Sequence, residues 1–229
     1  MAQNDQDGMK RRAAARAVAE VESGMVLGLG SGTTASFALE ALAARIAQGL
    51  QIVGIATSER IAAEARRLGV NLTSLAERRR IDLTIDGADQ IERATLHLVK
   101  GLGGALLREK IVARASRRMI VIADRTKLVE RLGALTPVPV EIVSFGHLVT
   151  IERLAELDAA PILRLARGAP FISDGGNYIV DCTFPEIADP AALEARLKAI
   201  TGVVESGLFV GLADQAVIGG PDGVEILEA

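Results

Sequence analysis

The sequence predicts an α/β protein: a Rossmann-like parallel sheet with helices on both faces, joined to a smaller α+β unit of split-βαβ, ferredoxin-like order. Three features predict it. A short apolar run, a turn and a helical stretch recur four times up to about residue 130. Beyond that point the rhythm changes to β-α-β-β-α-β. The tail, DQAVIGGPDGVEILE, then reads as a hairpin-like pair that returns to the first unit.

Each element follows in order. Residues 9–22, MKRRAAARAVAEVE, read as an Ala-rich amphipathic helix. Residues 25–29 are a short apolar run, residues 28–32 (GLGSG) a glycine-rich turn, and residues 33–48 have helical periodicity. The unit repeats as LQIVGIA with SERIAAEARRLG, as IDLTIDGA with GALLREKIVARAS after a loop, and as MIVIAD with RTKLVERLG. Strands alternating with helices imply a parallel sheet, which takes ligands at the carboxyl ends of its strands, near a switch in strand order. In the second unit PVPVEIVSF reads as a strand, HLVTIERLAEL as a helix and PILRLA as a strand. FISDGGNYIVDCTF is a further strand region, PAALEARLKAI a helix and GVVESGLFV a strand. The expected division is therefore residues 1–130 with 208–229, and residues 131–207.

Composition excludes several functions. Net charge is −3 without a basic stripe, and aromatics are 3%, so nucleic acid lacks both its electrostatic and its stacking platform. Cys182 is the only cysteine, and His97 and His147 are the only histidines and lie far apart. No Cys/His cluster has zinc spacing. Cys182 reads as a small buried hydrophobe, and His147 as a residue at the start of a helix. The first residues carry no apolar stretch of secretory type and no window spans a membrane, so the cytoplasm is expected.

Three glycine-associated motifs fall at strand ends. In GLGSGTT, residues 28–34, glycines permit close approach of a ligand, and the helix that follows offers free N–H groups to an anion. Ser31, Thr33 and Thr34 add hydroxyls, with Thr57 and Ser58 at the neighbouring strand. The alternative is a tight turn with a Ser/Thr N-cap. The loop lacks the Gly-Lys-Ser/Thr of a Walker A motif. It also breaks the dinucleotide fingerprint, with Thr33 at the third glycine position and no acid after the second strand, which argues against a nicotinamide dehydrogenase. In DGAD, Asp86 and Asp89 are either a carboxylate pair with separated pKa values or an Asp-Gly turn and a cap. In VKGLGGALLREKI, Lys100 opens a loop suited to an oxyanion and Glu109 is a candidate base, or else one of many solvated helix charges. Lys127 is a further cation or a surface lysine.

Taken together, GLGSGTTA (28–35), DGADQI (86–91), KGLGGALLREKI (100–111) and IADRTKLV (122–129) resemble the type A ribose-5-phosphate isomerase family. PVPVEI, SDGGNYIVD and GVVESGLF … AVIGGPDGV extend the resemblance over essentially the whole chain from about Met9. It implies an isomerase of the pentose phosphate pathway that interconverts ribose 5-phosphate and ribulose 5-phosphate without metal or other cofactor, as a homodimer or homotetramer. It also implies substrate binding by Ser31, Gly32, Thr33, Thr34, Asp86, Gly87, Ala88, Asp89, Lys100, Gly101, Leu102, Gly103 and Lys127. Glu109 is then the proton-abstracting base, and Lys10 a phosphate contact. In this scheme Asp86 assists ring opening, Asp89 orients Asp86 and fixes Lys100, and Lys100 with the 101–104 backbone stabilises an enediolate. Leu102 and residues 56–58 depart from the family pattern. Two rivals fit less well. A sugar-phosphate sensor would be expected to carry a DNA-binding helix-turn-helix, and only about eight residues precede the first expected helix. A deaminase or lactonase would be expected to use a histidine.

Overall fold

The computed structural model describes residues 2–229. Its helices are α1 (Ala2–Val18), α2 (Thr33–Ala47), α3 (Glu59–Arg67), α4 (Leu106–Arg114), α5 (His147–Ala155) and α6 (Pro190–Lys198). Its longer strands are β1 (Val26–Leu29), β2 (Val53–Ala56), β3 (Leu83–Gly87), β4 (Met119–Asp124), β5 (Val138–Ile142), β6 (Ala160–Leu163), β7 (Tyr178–Thr183), β8 (Val203–Ser206), β9 (Gln215–Gly219) and β10 (Val224–Glu228).

The central sheet has the order β10-β9-β4-β3-β1-β2. β2, β1, β3, β4 and β9 run parallel, and β10 closes one edge antiparallel to β9. The tail therefore returns to this sheet, as its hairpin pattern predicts. Both faces are covered, and β4 shows how. Ile120 and Ile122 join α1, α2 and α3 in one core, whereas Met119, Val121 and Ala123 join Ala113 of α4 on the other side. A strand buried on both faces needs apolar side chains throughout, hence MIVIA.

The second sheet has the order β8-β5-β7-β6, antiparallel throughout, and its connections run through α5, between β5 and β6, and α6, between β7 and β8. This is the split-βαβ order, with its own core around Val140, Ile142, Leu154, Val180 and Leu197. Cys182 is buried there and His147 is the first residue of α5.

A four-stranded patch of very short strands joins the two sheets in space. Leu208–Phe209, Leu98–Val99, Gln90–Glu92 and Leu128–Val129 pair in that order. Two or three residues carry no readable period, so the sequence does not announce it. One expected helix falls to it. RTKLVERLG forms a single 3-10 turn at Arg125–Lys127, after which Leu128–Val129 pairs in parallel with Ile91–Glu92. The side chain of Asp124 accepts the Thr126 N–H and fixes the turn, and the tertiary pairing then overrides local helix propensity. Helix α1 also lies earlier than its apolar period suggests, because residues 2–8 are mostly polar and carry no stripe for that period to detect.

Alanines 13, 14 and 17 are fully buried, so α1 presents a face without long side chains to the sheet. Gly219 completes the fit: a Cβ there would lie 1.9 Å from the carbonyl oxygen of Met9. Gly219→Ala is expected to lift α1 from β9 and to cost about 1–3 kcal/mol. The check is a lower urea midpoint with an unchanged slope.

Candidate active site

The chain runs from β1 outward to β2 and then back to β3, on the other side of β1. The loops after β1 and β3 consequently diverge, and such a switch point leaves a crevice at the strand ends. Here it is a cleft of about 310 Å³, lined by residues 31–34 after β1, residues 87–89 at the end of β3, and Lys100, Gly101, Gly103 and Glu109. Gln6 and Lys10 of α1 and Lys127 of the 3-10 turn complete it.

The glycines of the first loop serve packing as much as ligand approach. A Cβ on Gly30 would fall 2.2 Å from Oδ1 of Asp86, and one on Gly28 would overlap the Thr84 hydroxyl. Gly32, at φ 97°, is the N-cap of α2, and no side chain caps that helix. The Ser/Thr cap allowed by the sequence is therefore absent. The hydroxyl of Ser31 is instead held by Thr57 at 2.8 Å and Ser58 at 2.9 Å. The uncapped end of a 15-residue helix faces the cleft with Lys10 and Lys127 nearby, an arrangement suited to a dianionic group.

At the other end of the cleft lies a buried charge cluster. Lys100 Nζ stands 3.0 Å from Asp86 Oδ2 and 3.3 Å from Glu109 Oε1, and donates to the carbonyl of Gly87 at 2.6 Å. Asp86 Oδ1 accepts the N–H groups of Ser31 at 2.9 Å and Gly87 at 2.7 Å, tying the first loop to the second. Lys100 also lies 5.4 Å from the ring centroid of Phe209. All three charged groups are buried. On α4, Leu106, Glu109, Lys110 and Ala113 share the inner face at i, i+3, i+4, i+7 spacing. Glu109 is therefore not one of the solvated helix charges. Lys110, on the same face, pairs with Glu194 and Glu205 and ties α4 to α6 and β8.

Burial pushes the Glu109 carboxyl up to about 8, and neighbouring Asp86 adds to this while Lys100 opposes it. Burial likewise raises Asp86, against Lys100 and its two backbone donors. For Lys100, burial acts downward, but Asp86, Glu109 and Asp89 outweigh it and hold the ammonium charged. One cation between two buried carboxylates leaves room for a proton near neutral pH. Glu109 Oε2 has no hydrogen-bond partner among the described residues.

Several expected residues take positions the sequence did not indicate. Asp86 lines no part of the cleft, being fully buried beneath its floor. Asp89 does line it, but its Oδ2 accepts the N–H of Leu102 at 2.9 Å, so it braces the glycine loop and reaches Lys100 only through its field. Leu102 points outward, 38% exposed, at a φ that is not positive, whereas Gly101 and Gly104 have φ 100° and 84°. A third glycine is thus not required at 102. Of the loop N–H groups, those of Leu102 and Gly104 are committed to Asp89 and to the Gly101 carbonyl, leaving those of Gly101 and Gly103. His97 lies outside the cleft, its Nδ1 facing the Gly211 N–H. Gln6, Arg164 and Asp181 were not singled out. Gln6 is one polar residue among several on α1, Arg164 follows β6 outside any motif, and Asp181 ends SDGGNYIVD, whose residues carry no individual assignment.

Among the described residues no group of three or more His, Cys, Asp or Glu side chains is arranged to hold a metal ion, and no helix is long and apolar enough to cross a membrane.

An anion cradle at a helix terminus, facing a buried Lys/Glu/Asp cluster at the switch point of a parallel sheet, defines a sugar-phosphate enzyme of the proton-transfer class. Comparison with known proteins gives the family. The model of "Ribose 5-phosphate isomerase A (phosphoriboisomerase A)" matches residues 53–223. Ribose-5-phosphate isomerase A of Gloeobacter violaceus is 55% identical over 223 residues, covering 97% of each chain. That of Roseiflexus castenholzii is 55% identical over 222 residues, covering 96% of this chain and 94% of its own. The solved ribose 5-phosphate isomerase A of Methanocaldococcus jannaschii superposes with a TM-score of 0.94 at 37% identity, over 97% of this chain and 99% of that one. A D-ribose-5-phosphate isomerase in complex with phospho-erythronic acid gives 0.95 at 36% identity, over 98% and 99%. The chain belongs to the ribose 5-phosphate isomerase A family.

The raised Glu109 carboxyl has a consequence for stability. Between its ordinary value near 4.5 and about 8 the folded chain holds a proton that the unfolded chain has released. The contribution is therefore full below that window and is lost as pH rises through it. Glu109→Gln is expected to gain stability over the natural chain progressively from pH 5 to pH 8, checked by urea unfolding at several pH values.

Proposed function

We propose that this chain interconverts D-ribose 5-phosphate and D-ribulose 5-phosphate by carrying one proton between C2 and C1 on Glu109, through an enediolate. The observation that supports it best is the placement of Glu109: a buried carboxylate at the cleft, pushed up to about 8 and held against a charged lysine. A base is most effective when its pKa lies near the working pH.

The steps follow from the cleft. The phosphate sits at the uncapped start of α2, with Lys10 and Lys127, and this fixes the sugar by its distal end. Ring opening transfers a proton from the C1 hydroxyl to the ring oxygen. The accepting carboxylate is Asp89, since Asp86 has no surface in the cleft. Glu109 then removes the C2 hydrogen, the electron pair forms the C1–C2 double bond, and negative charge collects on O1. Lys100 and the N–H groups left in the glycine loop stabilise that charge. The O2 proton passes to O1 and Glu109 returns its own proton to C1, which gives the ketose. Asp86 acts from beneath, holding Lys100 charged and adding the negative charge that helps to raise Glu109. Phospho-erythronic acid, the ligand of one solved relative, combines a phosphate with a planar carboxylate, a charge pattern that such a site would favour.

The wider setting is part of the same proposal. Residues 1–130 with 208–229 would form the catalytic unit and residues 131–207 a smaller companion. The chain would work in the cytoplasm as a homodimer or homotetramer. Exposed Phe145, Leu148 and Val149 at the start of α5 are apolar surface of the kind an assembly covers. Light scattering of the purified protein measures the assembly.

Glu109→Gln is expected to lower kcat by on the order of 10²–10⁴ with KM little changed. Turnover by the natural chain should continue in excess chelator. Near-wild-type turnover in the variant would remove Glu109 from the mechanism. For the natural chain, kcat/KM is expected to rise with pH and level off near 8, as the free carboxyl loses its proton. A profile flat from pH 6 to 9 would contradict that.

A further inference from the structure

The glycine loop is gripped from behind by a residue of the smaller sheet. Arg164 follows β6, and its Nη1 donates to the carbonyls of Gly101 at 3.1 Å and Leu102 at 2.9 Å. The rest of its guanidinium is locked by Asp181 of β7, through Nε to Oδ2 at 2.9 Å and through Nη2 to Oδ1. This fork-to-fork pair is largely buried, with the Arg164 side chain 13% exposed. Phe171 lies under the guanidinium, 5.8 Å from Cζ to the ring centroid. The same ring occupies the space where a Cβ on Gly104 would be, 2.4 Å away.

A trans peptide plane makes these contacts directional, because its C=O and N–H point in opposite senses. In the 101–102 peptide, Arg164 takes the carbonyl and Asp89, from the cleft side, takes the N–H. In the 102–103 peptide, Arg164 takes the carbonyl again. The N–H of Gly103 must then point away from Arg164, and Gly103 lines the cleft.

We propose that Arg164 is a positioning residue for the isomerisation: held by Asp181, it fixes the 102–103 peptide so that the Gly103 N–H is aimed at the enediolate oxygen. Arg164 does not line the cleft and need not touch substrate. The inference rests on the reading of this loop as the enediolate site. It adds that the smaller sheet completes the site through one guanidinium.

The test uses Arg164→Met, which keeps the length of the side chain, beside Arg164→Lys and Asp181→Asn. Arg164→Met is expected to lower kcat about 10- to 100-fold, less than the complete loss of an oxyanion donor, with KM for ribose 5-phosphate within about twofold. Affinity for phospho-erythronic acid should fall in step with kcat/KM, while affinity for inorganic phosphate, which reads only the α2 cradle, stays unchanged. Arg164→Lys, able to reach the carbonyls but not to reproduce the fork, should recover part of kcat. Asp181→Asn should show a smaller loss of the same kind, and serves as the decisive variant if Arg164→Met does not fold. Unchanged kcat in the decisive variant overturns the proposal. So does a parallel loss of phosphate and phospho-erythronic acid binding, which marks general loosening of the structure. Inactive Glu109→Gln beside fully active Arg164→Met sinks this inference alone, whereas active Glu109→Gln sinks the reading beneath it.

Discussion

The ammonium of Lys100 is the contact on which the site depends. It is buried within hydrogen-bonding or ion-pairing reach of Asp86, Glu109 and the Gly87 carbonyl, and so joins the end of β3 to the inner face of α4. An uncompensated charge at that depth would cost several kcal/mol. The surrounding groups offset this only together: two carboxylates, a carbonyl and the face of Phe209. The arrangement is not optimised for stability. Two acids share one cation, and Glu109 keeps an oxygen without a hydrogen-bond partner among the described residues.

Around that centre the two sheets have separate tasks. The parallel sheet supplies the switch point, and thereby the divergence of loops that makes a cleft at all. Asp86 ties the loop after β1 to the end of β3, because one carboxylate oxygen accepts the N–H groups of both Ser31 and Gly87. The antiparallel sheet approaches from behind. Arg164 holds the glycine loop, and Glu205 of β8 with Glu194 of α6 holds Lys110, the residue next to Glu109. Burial acts upward on Glu205, but Lys110, with the Ser206 N–H and Lys198, outweighs it and holds that carboxyl below the usual range. Adjacent residues of one helix thus serve opposite ends, one locked and one poised.

Much of this was legible in the residues, and the parts that were not share a cause. The strand-turn-helix rhythm places the parallel sheet and the β-α-β-β-α-β order places the second sheet, because apolar period and turn chemistry are local properties. The three glycine-associated motifs lie at strand ends for the same reason. The short strands at Gln90–Glu92, Leu98–Val99, Leu128–Val129 and Leu208–Phe209 carry no period, and the helix expected from RTKLVERLG gives way to pairing with a segment more than thirty residues earlier. Glu109 and Lys110 face inward on the row of Leu106 and Ala113, a placement that their charge argues against locally and that packing decides.

Residue identity alone places a glycine-rich start to a helix, and then acids, a lysine and a glutamate, at or just beyond successive strand ends. Side-chain identity and backbone freedom at each position are properties of the chain alone. How those groups are arranged about the cleft is a property of the fold. It buried Asp86 under the floor, turned Asp89 toward the loop, left α2 uncapped and brought Arg164, after β6, and Asp181, of β7, behind the glycine loop. Those decisions depend on burial and on contacts between residues tens of positions apart, and a local pattern holds neither.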